Sequence, residues 1–200
     1  MTPINFKANY IKRVDIQKHD GQKYNPCKAN LVLLNREDIP ALEEVADIWG
    51  TNLCRGIKYA YEHKLPNEKL YAVTLQNHSF ENLYPNKVLG VAYFNEHSDS
   101  LSREIEYLHT RPDCISPAYQ TTLKKIKKLF QKLMFRNKQF VEKQPAYKHV
   151  GQSLVSSMKE LYPDKPIILY PLSEAISFYK KNGFIKKNEL MVWVNKNKMP

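Results

Sequence analysis

Apolar residues recur along this chain in two periods, and each change of period marks a change of element. Tyr10 to Gln17 alternates loosely and Lys28 to Leu34 more clearly, with Gly21 and Pro26 between them, so the pattern predicts a β-hairpin. A helix is expected to begin at Asn35 or Asp38, with Pro40 in its first turn and Leu42, Val45, Ala46 and Trp49 along one face. Gly50 breaks that period, and Thr51 is placed to cap a second helix carrying Leu53, Ile57, Ala60 and Tyr61. Leu70 to Leu75 and Val88 to Phe94 read as strands. The polar stretch joining them, with Asn77, Asn82, Pro85 and Asn86, is too long for a tight hairpin. Arg103 to Thr110 alternates as a further strand and ends near Pro112.

The second half is more helical. Between Pro112 and Pro145, Leu123, Ile126, Leu129, Phe130, Leu133 and Met134 keep helical spacing, followed by Phe140 and Val141. Lys124, Lys125, Lys127, Lys128, Lys132, Arg136 and Lys138 fill the positions between, which predicts a basic amphipathic helix over about 119–141. Val150, Leu154, Val155, Met158 and Leu161 predict another helix, with Gly151 and Ser153 in its first turn. Lys165 to Tyr170 is a short apolar run after a proline-marked turn and reads as a buried strand. Ser173 is a natural N-cap for a helix with Ala175, Ile176 and Tyr179 on one face, and Gly183 is placed to end it. Leu190 to Val194 is a last strand, and Lys196 to Pro200 reads as a frayed tail.

Composition narrows the classes. A chain of 200 residues suits one domain with a sizeable core. No apolar run approaches the ~18 residues of a membrane span, so no membrane partner is expected. The stretch from Met1 to Tyr10 lacks the apolar core of a signal peptide, and a reduced cytoplasmic setting is the default. Three widely spaced cysteines, Cys27, Cys54 and Cys114, indicate neither a disulfide framework nor a metal site. The net charge of +11 favours anionic ligands, nucleic acid among them.

The candidate chemistry concentrates at Lys148-His149-Val150-Gly151-Gln152-Ser153. A helix N-terminus offers backbone N–H groups without partners and a partial positive charge, which suits a phosphate. Gly151 lets an anion approach the backbone, and Lys148 adds a cation beside it. An ordinary helix start with an accidental glycine is the competing reading.

Three stretches in order resemble the GNAT acetyltransferase family. Lys148-x-x-Gly151-x-Ser153 is similar to that family's phosphate loop, Arg/Gln-x-x-Gly-x-Gly/Ala, with conservative departures at both ends. Ala175, Phe178, Tyr179, Gly183 and Phe184 match its later Ala-x-x-Phe-Tyr-x-x-x-Gly-Phe signature, and Ile105, Leu108, Thr110 and Pro112 fit its preceding strand. The resemblance covers about 88–194, and the earlier part agrees by element order. It implies one α/β domain over 1–200, a mixed and mostly antiparallel sheet flanked by helices, with 113–146 as a helical insertion before the phosphate loop.

It also implies acetyl-CoA as the cofactor. Its pyrophosphate would sit on the N–H groups of Val150, Gly151, Gln152 and Ser153 beside Lys148 and His149, and its arm on the strand Leu108-His109-Thr110. Tyr179 would be the general acid. Glu104, with Glu106 in reserve, would be the base, or both are surface carboxylates. Many family members carry Asn three residues before the alanine; here Leu172 stands in that position. The implied reaction is acetyl transfer to an amine of a small molecule or protein. The alternative is a non-catalytic acyl-CoA-binding or RNA-associated protein on the same fold. The acceptor and the oligomeric state are not legible.

Overall fold

One continuous sheet runs through the computed structural model, which describes residues 8–63, 68–76, 83–96, 101–115 and 144–195. The expected basic helix at 119–141 lies outside the described residues. The chain opens with a hairpin, β1 (Asn9–His19) and β2 (Tyr24–Leu33). Gly21 adopts φ 105° in its turn, and the Asp20 carboxylate accepts the N–H groups of Gln22 (2.8 Å) and Lys23 (2.9 Å). Then follow α1 (Ala41–Trp49), α2 (Leu53–Glu62), β3 (Glu68–Thr74), β4 (Val88–Asn95) and β5 (Arg103–Thr110). The C-terminal part is β6 (Tyr147–Lys148), α3 (Val150–Leu161), β7 (Ile167–Leu169), α4 (Ile176–Lys181), β8 (Ile185–Lys187) and β9 (Leu190–Trp193). The strand order is β6-β1-β2-β3-β4-β5-β7-β9-β8, antiparallel except where β7 joins β5.

The fold is therefore α/β, with a mixed, mostly antiparallel sheet of nine strands and four helices among the described residues. Side chains leave the strands toward two cores. Leu31, Val73, Phe94 and Ile105 pack with Leu154, Val155 and Met158 of α3. Val32, Leu70, Ala72, Val91 and Tyr93 pack with Leu42, Val45, Ala46 and Trp49 of α1 and Ile57 of α2. Burying both sheet faces explains why β4 is apolar along nearly its whole length.

Local chemistry moved several expected boundaries. Asn35 begins a single 3-10 turn, and α1 starts after Pro40, whose αR backbone makes no side-chain cap. Gly50 ends α1 in the left-handed region (φ 63°), and Asn52 rather than Thr51 precedes α2. The Ser173 hydroxyl bonds the Glu174 carboxylate (3.0 Å) instead of capping a helix, so a 3-10 turn intervenes and α4 begins at Ile176. β6 is too short to show a period, and β8 is exposed at all three positions, so neither was foreseen. The described ends of the expected insertion meet: the Ala146 N–H donates to the Asp113 carbonyl at 2.6 Å. No helix among the described residues is long and apolar enough to cross a membrane.

Candidate active site

β5 and β7 pair at two positions, Arg103 with Ile167 and Glu104 with Ile168, and then part. The closed end is pinned. Arg103 grips the Asp164 carboxylate with two guanidinium nitrogens (2.7 and 3.1 Å), donates its backbone N–H to Pro166 (2.8 Å) and lies over the Tyr162 ring. That guanidinium holds the Asp164 carboxyl below its usual range. Beyond Glu104, β5 keeps β4 on one side while β7 turns to β9 on the other. A cavity of about 570 Å³ lies against this far end of β5, lined also by the start of α3 and by α4.

Leu108, His109 and Thr110 form the β5 wall of this cavity. Lys148, His149, Val150, Gly151 and Gln152 form the α3 wall, and Tyr179 stands on the α4 side. His149 takes a left-handed backbone (φ 69°) before the helix, and its Nδ1 is 2.8 Å from Gln152 Oε1. The Ser153 N–H closes the first helical turn onto the His149 carbonyl (2.8 Å). No acceptor among the described residues takes the N–H groups of Val150, Gly151 or Gln152. A Cβ on Gly151 would lie 3.3 Å from Phe178 Cζ, 3.5 Å from Thr110 Cγ2 and 3.6 Å from Leu108 Cδ2. The glycine thus brings those donors against the cavity wall. Lys148 Nζ rests 3.6 Å from the centre of the Tyr24 ring, which holds the cation beside the helix start.

Tyr179 is 7 % exposed and meets the rings of Phe178 and Phe184 edge-on (5.0 and 5.6 Å between centroids). Burial pushes its phenol up to about 12. The end of α4 is held by Asn182, whose amide donates to the Phe178 carbonyl (2.9 Å), and by Lys159, which donates to the Asn182 carbonyl. Burial draws Lys159 down to about 8.

Three expected site residues lie off the cavity wall. The Ser153 hydroxyl donates to the Asp15 carbonyl (2.8 Å), so its side chain ties α3 to β1. Glu104 and Glu106 sit at the closed end of the gap. A bulge there breaks strict alternation: Phe94 pairs with Ile105 and Tyr93 with Tyr107, leaving Glu106 between, where it accepts a bond from the Asn95 amide (3.0 Å). Phe178, Cys114 and Ile115 join the lining without having been singled out as site residues. The Cys114 thiol is pushed up to about 12, by burial first and by the Asp113 carboxylate second. His109 was legible only as backbone. Its imidazole crosses to the opposite sheet face, where it meets Trp49 edge-on at 5.1 Å, and burial holds its pKa down to about 4.

No family model and no curated protein sequence matches the chain. Among solved structures, it is similar to an assigned acetyltransferase from Exiguobacterium sp. 255-15, at 12% identity over 94% of this chain and 96% of that one, with a TM-score of 0.43. The Bacillus subtilis N-acetyltransferase YlbP, solved with coenzyme A, is 12% identical over 83% and 96%, with a TM-score of 0.39. Tetrahymena GCN5 is 14% identical over 89% and 92%, with a TM-score of 0.37. Each is a distant likeness.

Chemically, the arrangement offers, at one end of the cavity, a cation and N–H donors that nothing among the described residues takes, with β5 along its side. Among the described residues there is no group of His, Cys, Asp and Glu side chains able to hold a metal ion.

Proposed function

We propose that this chain is a GNAT-type N-acetyltransferase that moves an acetyl group from acetyl-CoA to a primary amine of a small molecule or protein. One observation carries the reading. β5, beyond its pairing with β7, and the helices α3 and α4 line a cavity whose end carries three N–H groups at the start of α3 that no acceptor among the described residues takes. Such donors suit a pyrophosphate, and the open β5 edge suits an arm that carries amides. Bound acetyl-CoA would supply an activated thioester. Val150, Gly151 and Gln152 would hold the phosphates through their N–H groups, with Lys148 and His149 beside them. Ser153 contributes by closing the helix turn and anchoring it to β1. Leu108, His109 and Thr110 would hold the arm along β5.

Tyr179 Oη holds a proton throughout the neutral range, because burial raises its pKa, and it would give that proton to the departing sulfur. At the closed end Glu104, or Glu106 in its place, would take the proton from the amine. The β5 edge offers backbone donors to a developing oxyanion.

The test is calorimetry with coenzyme A on the parent protein and on Gly151→Glu. The glutamate would put bulk against Phe178 and Thr110 and a negative charge at the phosphate donors. Loss of binding in a folded variant is expected, and unchanged affinity would sink the assignment. A thiol-release screen of acetyl-CoA against amines and peptides then identifies the acceptor. Binding without release to any amine favours a non-catalytic acyl-CoA-binding protein.

A further inference from the structure

β5 shows the cavity two faces. Leu108 and Thr110 approach Gly151, whereas His109 between them reaches toward α1 and sets its ring edge-on against Trp49. Its partner across the strand, Val91, belongs to the same cluster as Trp49. His109 is also one of the residues that line the cavity, and of its ring nitrogens only Nδ1 is buried without a partner.

Its two nitrogens are not equivalent. Nδ1 is buried without a hydrogen-bond partner, and so is the indole N–H of Trp49. An indole nitrogen donates and never accepts. Beside such a donor, and with no acceptor in reach, Nδ1 is better as a bare lone pair than as a second stranded N–H. The proton then sits on Nε2. Burial keeps the ring neutral above about pH 4, so Nε2 is a fixed donor rather than a base. A protonated amine has only donors of its own and cannot accept this bond, whereas carbonyl oxygens of an acyl-pantetheine arm can.

We propose that His109 donates its Nε2–H to a carbonyl oxygen of the acyl-pantetheine arm in this cavity, acting as a side-chain ligand for the arm on the Trp49 face of the sheet. The inference rests on the acetyl-CoA reading above. The accepting oxygen belongs to the thioester or to an amide of the arm, and the two are separable because coenzyme A lacks the thioester.

The experiment compares dissociation constants of acetyl-CoA and coenzyme A for the parent, His109→Leu and His109→Gln. Leucine keeps bulk without a donor, and glutamine returns an N–H at the same reach. His109→Leu should weaken acetyl-CoA by about 5–10-fold, the size of one neutral hydrogen bond, and His109→Gln should recover most of it. A loss confined to acetyl-CoA names the thioester oxygen, and an equal loss for both ligands names an amide oxygen. Parent-like binding by His109→Leu, or no recovery in His109→Gln, overturns the inference.

A second measurement needs no folded variant with an altered core. ¹⁵N spectra of histidine-labelled parent protein, with six histidines to assign, report the tautomer directly. The Nε2–H form at pH 7 is expected, with its resonance moving when acetyl-CoA is added. An Nδ1–H form, or no movement on saturation, overturns the inference. If the parent binds neither ligand, the acetyl-CoA reading itself has failed, which is seen before any His109 variant is made.

Discussion

Replacing Gly90 by alanine should loosen the seat of α3 on the sheet by a calculable amount. The added Cβ would lie 2.9 Å from Val150 Cγ1, 3.1 Å from Leu154 Cδ1 and 3.3 Å from the His109 carbonyl oxygen. Carbon atoms rest at about 3.5–4.0 Å, so Val150 would have to retreat by roughly 0.6 Å. It is 2 % exposed and packed on the larger of the two cores, which leaves little room. Overpacking of this kind costs about 1–3 kcal/mol. Removing a glycine from the unfolded chain returns about 0.4–1 kcal/mol. The net loss is about 1–2 kcal/mol, a fall of roughly 2–8 °C in Tm for a chain of this size.

Urea denaturation of Gly90→Ala, Val150→Ala and the double variant tests the cause as well as the size. Val150→Ala removes the atom that clashes, so the double variant should be more stable than the two single losses predict, by about 1 kcal/mol. Coenzyme A affinity should fall in Gly90→Ala and recover in the double variant, because the Val150 N–H is one of the three donors. Additivity within about 0.5 kcal/mol would refute the steric account.

Two further outcomes concern the chemistry. Tyr179→Phe should keep coenzyme A affinity near the parent's and lower turnover by about 10²-fold; equal kcat under conditions where chemistry limits the rate would remove Tyr179 from the mechanism. Glu104→Gln should depress kcat/KM or shift the acidic limb of the pH–rate profile more than Glu106→Gln does. The reverse order would give the base role to the residue at the bulge.

The apolar periods exposed most of the framework, because nearly every buried strand and helix face carries its own signal. The hairpin, α3 and the strands β3, β4, β5 and β7 were all legible that way. Site details were harder where geometry departs from a repeating rule. Ser153 stands two residues from Gly151, and at 3.6 residues per turn that carries its side chain to the far side of the helix, onto β1. The bulge that leaves Glu106 between Ile105 and Tyr107 has no periodic signal in the sequence. The Arg103–Asp164 clamp joins residues far apart in the chain, and no local pattern announces it. His109 was assigned to the strand's backbone. Its side chain meets Trp49 of α1, sixty residues earlier, and no local pattern announces that contact.

The bond between the Ala146 N–H and the Asp113 carbonyl has a consequence for how this chain tolerates change. Chain that leaves and re-enters a fold at one hydrogen-bonded point is a graft on a closed stem. Closing such a tether grows only logarithmically dearer with length, by about 0.6 kcal/mol for each doubling. The bond fixes Asp113 and Ala146 relative to each other whatever the length of chain between them, at a cost that rises only with that logarithm. Changes of length are best confined to 116–143, because Cys114 and Ile115 line the cavity and the Pro145 carbonyl accepts the Tyr24 hydroxyl (2.8 Å).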